Sequence, residues 1–226
     1  MNTAVSTQNV ETALHFIDIM APGECQVLHN VSWDEYEELL DELGPGYAVR
    51  VAFTEGELEI MSPLYKHEVY KDVLTMLVRI LGKACKQRVQ SAGSLTLKRK
   101  NLRRGAEPDT CFYLQNAAQI LGQEMIDLRY DPPPDLVVEV DITSKSTSKM
   151  KTYAKLGVPE FWRYDGKRIR IYALLEGDYV ERDNSLSFPI VSALDLVLFL
   201  KQSIEEGQDE AFEAFQHWVN KRSENS

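Results

Sequence analysis

Two short acidic segments hold the residues best suited to chemistry. One reads Glu107-Pro108-Asp109-Thr110-Cys111-Phe112-Tyr113; the other reads Asp135-Leu136-Val137-Val138-Glu139-Val140-Asp141-Ile142. Apolar and β-branched residues dominate both, which is the composition of buried strands, yet each carries carboxylates in its interior. A buried carboxylate stays ionised only when it is paired or bound to a metal. Two such segments therefore point to a divalent-cation site and metal-assisted chemistry. The bland alternative is a pair of carboxylates satisfied by backbone N–H groups or arginines. Side chains alternate along a strand. Leu136, Val138, Val140 and Ile142 share one apolar face, expected to meet the core. Asp135, Val137, Glu139 and Asp141 share the other, expected to form an acidic rail rather than a second packed face.

The elements that must hold these residues are readable around them. Ser32-Trp33-Asp34-Glu35 is a capping box, opening a helix to about Leu43 that stops at Gly44-Pro45-Gly46. Residues 47–53 and 57–61 form a hairpin about Thr54-Glu55-Gly56. A long helix over 65–83 follows, with Val69, Val73, Leu77, Ile80 and Leu81 at helical spacing. Two short strands at 88–91 and 94–98 turn at Ala92-Gly93, and a short helical piece is expected at 116–121. A helix over 147–156 stops at Gly157, and Asp165-Gly166 joins two further strands as a hairpin. Another strand at 179–182 and helices at 192–200 and 204–219 complete the pattern, a mixed sheet flanked by helices.

Composition narrows the class. The chain has 226 residues, 44% hydrophobic and 27% charged, which fits one domain with a real core. No apolar run approaches the roughly 20 residues of a membrane span. The first residues lack a signal-peptide pattern, so residues 1–25 are expected to be a partly disordered tail and the protein cytoplasmic. Three cysteines without a CxxC pair argue against a disulfide framework or a structural zinc site. The net charge of −10 argues against coating nucleic acid by bulk electrostatics, while bound cations and local basic patches can offset it.

The ordered set Glu107-Pro108-Asp109, Pro134-Asp135-Leu-Val-Val-Glu139-Val140 and Tyr153-Ala-Lys-Leu-Gly157-Val158-Pro159-Glu160-Phe161-Trp162 resembles the bacterial Uma family of endonuclease-like proteins, within the PD-(D/E)XK nuclease superfamily. Gly56-Glu57-Leu58-Glu59, Met61-Ser62-Pro63 and His67 fit the same pattern. The resemblance runs from about Trp33 to Leu200. It implies an α/β, restriction-endonuclease-like core with a central mixed β-sheet between helices, as one domain over 26–226 with C-terminal helices. It implies Asp109 and Glu139 as ligands of Mg2+, with Mn2+ as a substitute, and DNA as the partner. Magnesium prefers oxygen donors, lowers the pKa of bound water and neutralises charge on a phosphate. A strict Glu-x-Lys would put lysine at 141, where Asp141 stands. The family is similar in carrying its lysine on the following helix, which here is Lys149, at the edge of the inward stripe and one turn from Tyr153. Lys155 falls on the solvated face. Catalytic roles are thus expected for Asp109, Glu139 and Lys149.

Supporting roles are weaker. His67 lies at the rim of the long helix's apolar stripe and either faces the site or is structural. Asp141 is either a third ligand or, the favoured reading, a partner of Lys145 or Lys149. Asp135, after three prolines, suits a strand-start hydrogen bond. Lys98, Arg99, Lys100, Arg103 and Arg104 form the dense basic cluster, fitted to a nucleic-acid backbone or to a solvated loop. Phe212, Phe215 and Trp218 make a stripe suited to a homodimer interface or to packing on the chain's own core. The leading reading is a metal-dependent DNA endonuclease. A catalytically inactive nuclease-fold binding or assembly module is the alternative, and a metallohydrolase of small phosphate esters comes third.

Overall fold

A computed structural model describes residues 6–44, 47–142 and 147–224. The expected central mixed sheet is present; a wholly antiparallel sheet, the first in chain order, stands beside it, and the mixed sheet is the second. The chain opens with helix α1 (Ser6–Ile19), strand β1 (Cys25–Leu28) and helix α2 (Trp33–Leu43). The segment expected as a tail is therefore helical from Ser6, because Val10 and Ala13 are buried against the α2 side of the fold with Leu14 and Ile17 beside them. Helix α2 starts where the capping box requires: Ser32 Oγ accepts from Glu35 N–H, and Ser32 N–H donates to the Glu35 carboxylate. Strands β2 (Arg50–Thr54) and β3 (Glu57–Met61) form the expected hairpin. Helix α3 (Tyr65–Ala84) follows, then β4 (Gln90–Gly93), β5 (Leu97–Arg99), β6 (Arg104–Ala106) and β7 (Thr110–Tyr113).

Here the structure departs from the sequence reading twice. Strands β4 and β5 do not pair as a hairpin; β4 joins β7 and β5 joins β6, in different sheets. Gly93, at φ 59°, supplies the irregular turn at the bulge where the chain leaves one sheet for the other. Residues 107–113 are likewise not one strand. The chain passes from β6 in the first sheet to β7 in the second through Glu107-Pro108-Asp109, and Pro108 has no N–H to donate to a ladder. Gly105 in β6 lies so close to Tyr36 that an added Cβ would stand 2.4 Å from its hydroxyl oxygen.

The second sheet continues with β8 (Leu136–Val140), helix α4 (Thr147–Leu156), β9 (Glu160–Tyr164), β10 (Ile169–Leu175) and β11 (Asp178–Arg182), in the order β11-β10-β9-β8-β7-β4. Strands β8 and β9 are parallel, and a parallel pair needs a crossover, which α4 provides. Helices α5 (Ala193–Glu205) and α6 (Gln208–Ser223) close the chain. Leu136, Val138 and Val140 pack on α3, α5 and α6, as their parity predicts, each burial stabilising by about 1.5–3 kcal/mol. The opposite face is packed too, so it is not an open rail. Val137 sits with Tyr153 and Leu156 of α4, Phe161, and Ala52, Leu97 and Ala106 of the first sheet. The segment 116–121 forms turns rather than a helix, since Asp135 draws the N–H groups of Leu114 and Asn116 to its carboxylate. Phe215 is buried between Phe199 and Trp218, so the C-terminal stripe packs on the chain's own core. Among the described residues no helix is long and apolar enough to cross a membrane.

Candidate active site

The break between β6 and β7 sets Asp109 beside β8. The antiparallel register pairs Thr110 with Val138, so Asp109, one step further, stands across from Glu139. Residues opposite one another in an antiparallel pair share a face. Both carboxylates are nearly sealed from solvent, each 1% exposed. Oδ2 of Asp109 accepts from Val140 N–H at 2.7 Å. His67, in the first turn of α3, brings Nε2 to 3.1 Å from the same oxygen. Oδ1 of Asp109 is buried with no hydrogen-bond partner among the described residues.

The crossover explains how Lys149 arrives. Helix α4 folds back over the face of β8 that carries Glu139, and Thr152 meets Thr54 of β2 through their hydroxyls at 3.0 Å. Lys149, itself buried in α4, places Nζ 3.4 Å from Glu139 Oε2 and 3.3 Å from the Glu107 carbonyl. One turn on, Tyr153 donates its hydroxyl to Glu139 Oε1 at 2.5 Å. The inward stripe is thus Lys149, Thr152, Tyr153 and Leu156, while Lys151 and Lys155 are exposed. Four expected residues, Asp109, Glu139, Lys149 and His67, meet in one place.

Burial raises the Glu139 carboxyl well above the ordinary value of 4.5; Lys149 opposes this, and the charges of Asp109 and Asp141 add to it. Burial also pushes Asp109 upward, but His67, Lys149 and the Val140 N–H outweigh it and hold the carboxyl low. Burial works against the Lys149 ammonium, yet Glu139, Asp109, Glu59 and Asp141 keep it firmly charged. Burial first, then Glu139, keeps the Tyr153 hydroxyl protonated and a donor.

The remaining expected residues lie elsewhere or are otherwise engaged. Asp141 pairs with Arg163 Nε at 2.5 Å; Lys145, one of its two expected partners, lies outside the described residues. Arg163 sits beside Glu139 in the parallel β8–β9 register. Asp135 accepts from Leu114 N, Asn116 N and Asn116 Nδ2, the strand-start role expected of it. In the basic cluster, Lys98 pairs with Glu37, Lys100 with Asp34 and Glu37, and Arg104 with Glu55. Arg99 donates to the Leu128 carbonyl, and Arg103 adopts the left-handed conformation at φ 47°. The cluster therefore lies along α2 and the 127–131 loop, with most of its charge already answered.

Sequence reasoning missed Tyr153 as the partner of Glu139, Arg163 as the partner of Asp141, and Glu107 as a structural hub. The Glu107 carboxylate accepts from Val51 N, Thr96 Oγ1 and the Tyr47 hydroxyl. The spacing of Lys149 and Tyr153 on one helix face was the available signal for the first; the others depend on strand pairings. Cys25, Cys85 and Cys111 are free thiols, and burial pushes Cys111 up to about 12, which leaves it inert.

Among the described residues no group of three or more His, Cys, Asp or Glu gathers as a ready chelate. The donor set is nonetheless one that magnesium accepts, because that ion keeps several waters and binds through one or two carboxylates. The unpartnered Oδ1 of Asp109 is the oxygen such an ion would satisfy.

No curated protein matches the chain. A solved structure described as a "putative nuclease belonging to DUF820" from Anabaena variabilis ATCC 29413 shares the fold. It superposes with a TM-score of 0.50 at 17% identity, over 75% of this chain and 99% of the other. The Uma2 family model, described as "Putative restriction endonuclease", matches residues 33–201. That span takes in both acidic strands, His67 and the α4 crossover, and so the chain belongs to the Uma2 family.

Proposed function

We propose that this chain is a metal-dependent endonuclease that hydrolyses DNA phosphodiester bonds, with Asp109 and Glu139 as ligands of Mg2+ or Mn2+ and Lys149 assisting. The observation that carries the reading is the meeting of Asp109, Glu139 and Lys149 from two strands and a helix, with Asp109 Oδ1 buried and unpartnered. Family membership supports a nuclease-like function. When bound, a divalent ion activates water and neutralises charge on the scissile phosphate. The chain's own residues divide the remaining work. Val140 N–H and His67 fix Oδ2 of Asp109, so Oδ1 is the free donor. Tyr153 fixes Oε1 of Glu139, so Oε2 is the oxygen turned to Lys149. The Lys149 ammonium orients the attacking water or stabilises charge on the phosphate oxygens in the transition state. In the test, supercoiled plasmid is incubated with the protein and Mg2+ or Mn2+. Wild type should nick it and Glu139→Gln should not; equal nicking by both would sink the assignment.

One observation favours a second reading, a catalytically inactive binding or assembly module. Lys149 and Tyr153 already occupy Glu139, and Lys149 is only 4% exposed. A site closed on itself in this way suits a retained fold whose chemistry is gone. Metal binding with no turnover on any nucleic acid would select it.

A further inference from the structure

The insertion between the two acidic strands builds a wall of its own. Its loop 127–131 faces the end of β5 and the short 3-10 turn Lys100–Leu102. Between them lies an open cleft of about 630 Å³ lined by Arg99, Lys100, Asn101, Leu128 and Arg129. Tyr130 stands at this loop 83% exposed, with the Arg129 guanidinium 5.4 Å from its ring centroid. Tyr130 is thus the chain neighbour of the cleft-lining Arg129, at the rim of the cleft.

Two of the three cations are balanced for the present by carboxylates, and Arg99 donates to the Leu128 carbonyl. Arg129 pairs with Asp127, and Lys100 with Asp34 and Glu37. Such pairs at the surface are weak and screened, so phosphate oxygens can take the carboxylates' place. The cleft is tied to the candidate site from both walls. Strand β5 pairs with β6, which runs directly into Glu107-Pro108-Asp109, and Leu128 packs in the cluster that holds Val137 and Tyr153.

We propose that this cleft binds a single strand of DNA, its phosphates on Arg99, Lys100 and Arg129 and a base stacked on Tyr130. A volume of this order suits one or two nucleotides rather than a duplex. Cationic walls with an exposed aromatic platform are the chemistry of sequence-tolerant single-strand binding. The inference deepens the nuclease reading and rests on it for its direction, because it assigns the insertion the task of leading a strand toward Asp109 and Glu139.

The test is fluorescence anisotropy of a labelled thymidine oligomer of roughly 16 nucleotides, against a duplex of equal length. Metal is chelated throughout, so binding is read apart from cleavage. Wild type should prefer the single strand by roughly 10-fold or more, and Tyr130→Ala should lose about 10-fold of that affinity. Lys100→Ala/Arg129→Ala, losing two phosphate contacts, should lower the slope of log affinity against log salt by about 1.4. All three side chains are exposed, so these variants keep the fold. Absence of single-strand binding by wild type, equal affinity for duplex, or variants that bind like wild type would each overturn the proposal. Single-strand binding in a protein that never nicks DNA would leave the cleft standing and remove the nuclease reading alone.

Discussion

Tyr153 donates to Oε1 of Glu139 at 2.5 Å from one helical turn beyond Lys149, which approaches the other oxygen of the same carboxylate. Helix α4 thus grips Glu139 with two side chains four residues apart. Tyr153→Phe removes one grip and leaves a buried oxygen unpartnered. The expected cost is about 1–3 kcal/mol of stability, together with weaker divalent-metal binding as Glu139 loses its fixed orientation. Urea unfolding and calorimetric titration measure the two effects separately.

The pairing of Lys149 with Glu139 should show strong coupling. Lys149→Met leaves the acidic group without its buried cation and should destabilise by about 3–5 kcal/mol. Adding Glu139→Gln should return part of that loss, because a neutral amide needs no cation. A double-mutant cycle in urea checks this, and independent additive losses would contradict the geometry.

The raised Glu139 carboxyl gives a sign to the pH dependence. In the folded protein it holds a proton above 4.5, where the unfolded chain has released it. Its contribution is therefore complete below 4.5 and is lost as pH rises through the folded value. Metal binding must displace that proton, so affinity should climb over the same range. Asp109, held low, acts oppositely: its contribution is present above its ordinary value of 3.8 and disappears as pH falls through the lowered folded value. Denaturant unfolding of wild type and Glu139→Gln across pH reads the difference. The variant should lack the decline above 4.5 and keep the acid limb.

Asp135 shares its strand with Glu139 and has a different task. It satisfies two backbone N–H groups and one amide of the 114–116 turn. Asp135→Ala should cost about 2–3 kcal/mol and lower the melting temperature by several degrees, with metal affinity unchanged. A loss of metal binding at full stability would place Asp135 in the site instead.

The acids and most of their elements were legible from local pattern, whereas Lys149 came from the family resemblance, with its helical spacing to Tyr153 as a check. The capping box at Ser32, the alternation along β8 and the helical spacing of Lys149 and Tyr153 need no knowledge of distant contacts. What could not be read depends on which strands pair. Nothing local to Gln90–Arg99 says that β4 and β5 part into different sheets. Nothing local to Asp141 names Arg163 as its partner, since that follows from the parallel β8–β9 register. The face of β8 carrying Glu139 read as open because its cover, α4 and the antiparallel sheet, comes from elsewhere in the chain. His67 shows the boundary: its place at the rim of α3 was readable, and its contact with Asp109 was not.

The central claim is tested most directly by calorimetric titration of Mg2+ and Mn2+ into wild type and an Asp109→Asn/Glu139→Gln double variant, with plasmid nicking assayed on the same samples. Wild type should bind metal and nick DNA, and the folded double variant should do neither. Equal metal binding by the two proteins, or nicking that survives in the variant, would contradict the assignment of Asp109 and Glu139 as the catalytic pair.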